Sequence, residues 1–277
     1  MIILTKGRAR CGAQQKGRYE MMKRWMKVLA LTALMTALML QGALAAEVIV
    51  DGRAMSEDDA YALGVELIGQ GDYDGAMDAF MAVDEDGEAY GLGLYGLGYM
   101  FLNGLGVEQS EEHAQEVFET SADMGCVKAM YMLGYRARHA EQPDIPAAIR
   151  WYTMAAEQGH AEAMLGLGII YDQGLTGAED DVFAAYWYER AIANGCTDAA
   201  YNLGSLYRDG EGVEQDRAKA MELYGVAMDG GSAKACEQLG YMLLLDGDTQ
   251  QARTVFERGA QLGSEYCAER LAEMDAK

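Results

Sequence analysis

Gly91, Gly93 and Gly96 stand as GxGxxG, the spacing that lets a backbone approach a pyrophosphate. That chemistry needs a strand before the glycines and a helix opening after them. Here the acidic run DEDGEAY precedes and Leu97-Gly98 follows, so no dinucleotide loop is expected. Asp84, Asp86 and Gly87 resemble part of a calcium loop. Such a loop also needs an acid or amide two residues before Asp84 and a Glu at its twelfth position. Ala82 and Gly93 hold those places. The three histidines, His113, His139 and His160, have neither metal-ligand nor triad spacing, and no HExxH, GxSxG or CxxC occurs. The expectation is a chain with no catalytic residue, no cofactor and no metal.

Composition limits the partners. Of 277 residues, 51% are hydrophobic, enough for a core, and glycine outnumbers proline 34 to 2. Residues 1–46 hold eight Lys/Arg and one acid; the rest carries 14 bases against 43 acids, a net charge of −29. Such a surface repels nucleic acid and anionic lipid heads, and favours basic partners or a plain solvated face.

Lys23, Arg24 and Lys27 precede an uncharged stretch from Val28 to Leu40, and Ala43-Leu44-Ala45 follows as a small-x-small cleavage pattern. This reads as an export signal at residues 1–46, cleaved near Ala45. The apolar stretch is short of the ~20 residues that a spanning helix needs, and no Cys follows to carry a lipid. Residues 1–20 look unlike a signal, which makes Met21 or Met22 a candidate start. The expected compartment is periplasmic or secreted, with no membrane insertion after cleavage. Residues 89–107 also lack charge, yet include six glycines and stay in register with the periodicity below, so a buried helix and its turn are expected.

That periodicity organises the chain. Leu-Gly recurs with glycines at 64, 98, 134, 168, 204 and 240, spaced 34, 36, 34, 36 and 36 residues. An aromatic follows each: Phe80, Phe118, Tyr152, Tyr188, Tyr224 and Phe256. Four residues before every aromatic is an alanine, and four before that a capping residue: Asp72, Ser110, Asp144, Asp180, Asp216 and Asp248. The cap opens a second helix, and its alanine and aromatic share one face. A glycine inside the first helix costs ~1 kcal/mol against alanine, so close helix approach is expected there, through the alanine face. Neither helix can bury its apolar side alone; stacking must supply the core. In the third copy, HAEQPDIPAA replaces the glycine loop, with Pro146 allowed in a first helical turn.

AYNLGSLYRDGEGVEQDRAKAMELYGVAMDGG and AIRWYTMAAEQGHAEAM resemble the Sel-1-like repeat (SLR), a relative of the tetratricopeptide repeat. The resemblance spans about residues 57–270. It implies an all-α fold, an α/α superhelix or right-handed solenoid of six helix-turn-helix repeats, acting as a protein-binding adaptor. Some bacterial members have envelope or host-interaction roles. The expected layout is a leader at 47–56, six repeats at 57–270 and a tail at 271–277.

Two groups of residues stand out on that frame. The residue after each repeat glycine varies: Val65, Tyr99, Tyr135, Ile169, Ser205 and Tyr241. If these face a concave groove, Tyr99, Tyr135, Ile169 and Tyr241 form a tyrosine-rich strip for a peptide or partner helix; otherwise they pack as ordinary core. Tyr61, Tyr95, Tyr131 and Tyr201, three residues before their glycines, read as structural. Cys126 and Cys196 hold the same repeat position two units apart, too distant to bridge. Cys236 and Cys267 fall near the starts of consecutive first helices and are candidates for a disulfide, the alternative being four buried free thiols. The expected function is an exported, non-catalytic interaction scaffold whose partner and oligomeric state the sequence leaves open. The competing readings are a periplasmic hydrolase of cell-wall or drug-like substrates and a structural envelope oligomer.

Overall fold

The structure, a computed structural model, describes residues 48–50, 53–55, 57–82 and 90–276. The segment read as an export signal and the Asp84-Asp86-Gly87 run lie outside the described residues. The chain divides into two compact units, residues 1–117 and 118–277.

In the first unit, β1 (Val48–Val50) and β2 (Arg53–Met55) pair antiparallel, with Ile49 opposite Ala54. Periodicity gave no sign of this hairpin within the leader. Helices α1 (Glu57–Gln70), α2 (Tyr73–Met81) and α3 (Tyr90–Asn103) follow, and the unit boundary at residue 117 falls inside α4 (Glu111–Asp123). α2 packs on both α1 and α3. The uncharged run folds as α3, a 14-residue helix that buries Leu94, Leu97, Met100 and Phe101. Gly91, Gly93 and Gly96 therefore lie within a helix, not in a turn between strand and helix. Among the described residues no helix is long and apolar enough to cross a membrane.

The second unit carries α5 (Val127–His139), α6 (Ile145–Glu157), α7 (Ala161–Asp172), α8 (Asp181–Ala193), α9 (Asp198–Asp209), α10 (Arg217–Asp229), α11 (Ala233–Leu245), α12 (Thr249–Gln261) and α13 (Glu265–Asp275). Even-numbered helices pack on the helix before and the helix after, which makes a continuous stack of pairs.

The capping prediction holds at all six positions. Asp72, Ser110, Asp144, Asp180, Asp216 and Asp248 each accept a hydrogen bond from the backbone N–H three residues on, at 2.9–3.2 Å. Each such cap contributes ~1 kcal/mol. Pro146 sits in the first turn of α6, where its missing N–H is harmless. The second helices from α4 onward end on a left-handed glycine: at Gly195 φ is +96°, and the next residue, Cys196, donates from its N–H to Ala191 O at 2.9 Å. That reversal starts the next first helix at once.

The repeat glycines admit the close helix approach expected of them, but chiefly to a ring. An aromatic ring lies on each repeat glycine where contacts are described, and at Gly204 the Ala220 carbonyl oxygen also comes within 3.3 Å of where a Cβ would be. A Cβ on Gly134 would sit 2.6 Å from Tyr152 Cδ1, and one on Gly204 3.0 Å from Tyr224 Cε1. Gly64 meets Phe80, Gly168 meets Tyr188 and Gly240 meets Phe256 in the same way. Some rings are gripped from both sides: Gly96 also contacts Phe80, and Gly166 also contacts Tyr152. The alanines are fully buried instead along the second helices, at Ala76, Ala148, Ala184, Ala220 and Ala252. Phe80, Tyr152, Tyr188, Tyr224 and Phe256 are the large buried side chains that result, each stabilising its pair by roughly 1.5–3 kcal/mol.

Candidate interaction surface

Seating an aromatic on the repeat glycine sets the direction of the next residue along the first helix. Neighbouring residues on a helix point about 100° apart, so a glycine turned fully inward leaves its successor near the rim. Tyr99 is 41% exposed, Tyr135 45% and Tyr241 49%, with Val65 similar. Ile169 and Ser205, at the same register position, are half-buried. The reading of these tyrosines as ordinary core therefore does not hold, while Ile169 contributes less open surface than its register suggested.

Tyr135 is the best-anchored of the set. Its ring stacks on His139 at 4.1 Å and lies 6.4 Å from Tyr131, which stacks in turn on His160 at 4.6 Å. Tyr131 also touches the buried Tyr152, as Tyr61 touches Phe80 and Tyr201 touches Tyr224, at 5.7–5.9 Å. Those three are structural, as their spacing predicted. Tyr241 stands at the rim of α11, and Tyr99 at that of α3.

The phenol groups of the buried tyrosines reach polar groups on their own first helices. Tyr188 donates to Asp172 Oδ2 at 3.0 Å, and Tyr224 shares a 3.1 Å hydrogen bond with Ser205. Tyr152 pairs with Arg138, whose Nη2 also donates to Gln173 Oε1 at 3.4 Å. Burial pushes the Tyr152 phenol up to about 12 and raises Tyr188 and Tyr224, so all three stay neutral across the ordinary pH range; Tyr188 donates to its carboxylate, whereas Tyr152 accepts from the Arg138 guanidinium. Burial likewise raises the Asp172 carboxyl, against the opposing effect of the Tyr188 hydrogen bond. The tyrosine contacts orient side chains within a repeat and Arg138–Gln173 ties one repeat to the next; none of them joins a nucleophile to a base.

His160 caps α7, its Nδ1 accepting the Ala163 N–H at 3.3 Å, a role its type did not announce. His113 lies in the first turn of α4 and His139 ends α5. Among the described residues no three His, Cys, Asp or Glu side chains are grouped to hold a metal ion. Cys126, Cys196, Cys236 and Cys267 are buried free thiols. Cys236 of α11 and Cys267 of α13 both press on Gly259 of α12.

One surface escaped the sequence reading. On α8, Val182 is 66% exposed, and Phe183 and Tyr186 are exposed beside it. The signal was present: counting from the caps, these positions are apolar in this repeat and mostly polar in its neighbours.

Stacked helix pairs, closed by an aromatic on a glycine wherever that contact is described, define an all-α repeat protein. The Sel1 repeat model matches residues 91–126, 127–160, 161–196, 197–232 and 233–264, and the chain belongs to the Sel1 repeat family. The pair α1–α2 precedes these five repeats. The chain is similar to a Sel1 repeat protein from Oxalobacter formigenes, with 28% identity and a TM-score of 0.67 over 78% of this chain and 90% of that one. It is similar also to a protective antigen of uropathogenic Escherichia coli strains that displays an SLR fold, with 26% identity and a TM-score of 0.66 over 78% of this chain. The chain spans about half of that antigen's length, at 48%. Sel1 repeats commonly mediate protein–protein interaction and are typically non-catalytic scaffolds.

Proposed function

We propose that this chain is an exported, non-catalytic scaffold that binds a protein or peptide on the concave face of its stacked first helices. The observation that carries the reading is the tyrosine at the position after the repeat glycine. Tyr99, Tyr135 and Tyr241 each spend 41–49% of their surface on solvent although the helix around them is built to be buried. Tyrosine combines large contact area with a polar tip and loses little freedom on binding, which suits it to such a surface. Ile169 adds apolar area between Tyr135 and Tyr241 in the order of repeats. The net charge of −29 beyond residue 46 turns away nucleic acid and selects neutral or basic partners. Export follows from the residues 1–46 signal with cleavage near Ala45, and the pair α1–α2, with its own Asp72 cap and Gly64–Phe80 contact, is a sixth repeat in a 57–270 array.

The test is a photo-crosslinking amino acid placed at Tyr135 or Tyr241 in the producing cells. A discrete crosslinked partner is expected, lost when Tyr99, Tyr135 and Tyr241 are changed together to serine in a chain crosslinked elsewhere on α5. A crosslink pattern untouched by the triple change refutes the proposed face. N-terminal sequencing of the accumulated protein checks export, with Ala46 as the expected first residue.

A further inference from the structure

The aromatic surface on α8 is separate from the first-helix tyrosines and has its own character. Phe183 stacks with Tyr186 at 5.8 Å and meets Tyr171 edge-on at 4.7 Å; Tyr186 meets Trp187 at 5.2 Å. Arg190 lies over both Tyr186 and Trp187, at 5.6 and 5.4 Å, and donates to the Tyr186 hydroxyl at 2.8 Å. The rings are thus held as one plate before any partner arrives. Holding them costs nothing further on binding, which is how a pre-organised contact gains affinity.

Comparison with sibling helices of the same unit shows that the fold does not require this plate. Where α8 has Phe183, the helices α6, α10 and α12 have Ala147, Lys219 and Gln251. Where it has Tyr186, they have Arg150, Glu222 and Thr254. Trp187, only 8% exposed, meets the rings of Phe183 and Tyr186 edge-on and so backs them without adding open surface of its own.

Charge selects the occupant. Glu179, Asp181 and Glu189 flank the plate in sequence, beside Arg190, whose guanidinium already lies over two rings, while Asp172 is taken up by Tyr188 and Asp180 by the cap of α8. A second copy of this chain would bring the same acids face to face, as a two-fold contact must. We infer that Val182, Phe183 and Tyr186 form a second docking surface, for a protein segment that presents apolar side chains flanked by lysine or arginine. The apolar residues cover the plate and the cations meet the acidic rim, which speeds encounter and fixes orientation.

The probe is a fluorescein-labelled synthetic helix with leucines on one face and lysines on the other, beside a twin with glutamate in place of lysine. Anisotropy with the full chain should show binding of the lysine helix only. Changing Phe183 and Tyr186 together to serine, with helicity checked by circular dichroism, should weaken it at least tenfold although no charge changes. Should that pair lose helicity, Val182→Ser, on the most exposed of the three side chains, should still weaken binding about threefold. Glu179→Lys with Glu189→Lys should also weaken binding, whereas Tyr135→Ser with Tyr241→Ser should leave it intact and so separate the two surfaces. Equal binding of both helices, or an affinity that the serine variants do not alter, overturns the proposal. So does sedimentation showing a dimer of the chain that dissociates on those changes, since the plate would then be covered by a second copy.

Discussion

The Tyr188 phenol donates a 3.0 Å hydrogen bond to Oδ2 of Asp172, sixteen residues earlier in the same helix pair. The ring below it lies on Gly168, so one side chain both fills the pair and satisfies a half-buried carboxylate. Tyr188→Phe keeps the first role and removes the second. The expected cost is ~1–2 kcal/mol at neutral pH. It should shrink as pH falls and Asp172 takes up a proton, because a neutral carboxyl needs the phenol less. Urea denaturation of both proteins at neutral and mildly acidic pH measures this.

Gly168→Ala would force a methyl group into the Tyr188 ring. A loss of ~1–3 kcal/mol is expected from overpacking. Gly225, within α10, has open space where its Cβ would be, so Gly225→Ala should gain ~0.5–1 kcal/mol. Thermal melts of the two single variants should move in opposite directions. Adding Tyr188→Ala to Gly168→Ala should cost clearly less than the two single changes together, since the clash disappears with the ring.

His160 makes the fold sensitive to mild acid. Burial lowers its pKa, with Lys128 in the same sense, and outweighs Glu162, whose Oε2 lies 3.2 Å from Nδ1 and favours the cation. The neutral ring is also the one that accepts the Ala163 N–H while stacking on Tyr131. An unfolded histidine takes up its proton near pH ~6.5, the folded one only lower. Within that window the unfolded chain binds more protons, so this stabilisation is present above pH ~6.5 and is lost as pH falls through the folded value. His160→Asn retains a capping side chain that does not titrate. Stability of the variant between pH 7 and 5.5 should fall less steeply than that of the parent.

The buried phenols act at the other end of the scale. Tyr152, pushed up to about 12 by burial, and Tyr188 and Tyr224, raised for the same first reason, resist ionisation when folded. Unfolded phenols ionise near pH ~10. Their raised folded values give stability that is complete below pH ~10 and is lost as pH climbs through the folded pKa. Absorbance at 295 nm should show a late group of tyrosines that titrates together with the loss of helicity.

Cys236 and Cys267 are free thiols that both meet Gly259 where its Cβ would be. Burial pushes the Cys236 thiol up to about 11 and raises Cys267 too, which leaves little thiolate to react. The reduced folded protein should react slowly with a disulfide reagent and rapidly once unfolded. We propose that the pair bridges when the chain folds in an oxidising compartment, closing a loop of about 30 residues worth ~3–4 kcal/mol. Thiol counting on unreduced exported protein should then find two titratable thiols; four would rule the bridge out.

Much of this architecture can be read directly from residue spacing. A cap such as Asp216 acts on an N–H three residues away, so its type and place suffice to name it. The Leu-Gly, alanine and aromatic positions recur because every repeat solves the same packing problem. Tyr61, Tyr131 and Tyr201 were separable as structural for that reason. The hairpin at Val48–Met55 was not legible, since its strands are too short to show a period.

Other features depended on which groups meet in space. Spacing located Gly134 and Gly168 but not what approaches them, because an alanine and an aromatic four apart on one helix face are equally placed to do so. Only the packed pair shows the ring on the glycine and the alanine behind it. Exposure is likewise a property of the stack: Tyr135 and Ile169 share a register position, yet neighbouring helices leave one open and half-cover the other. The plate of Phe183, Tyr186 and Trp187 reads in sequence as a hydrophobic stretch of an amphipathic helix. Sequence sets which faces must be apolar through periodic transfer of side chains out of water; the tertiary structure alone decides which of those faces the rest of the chain fails to cover.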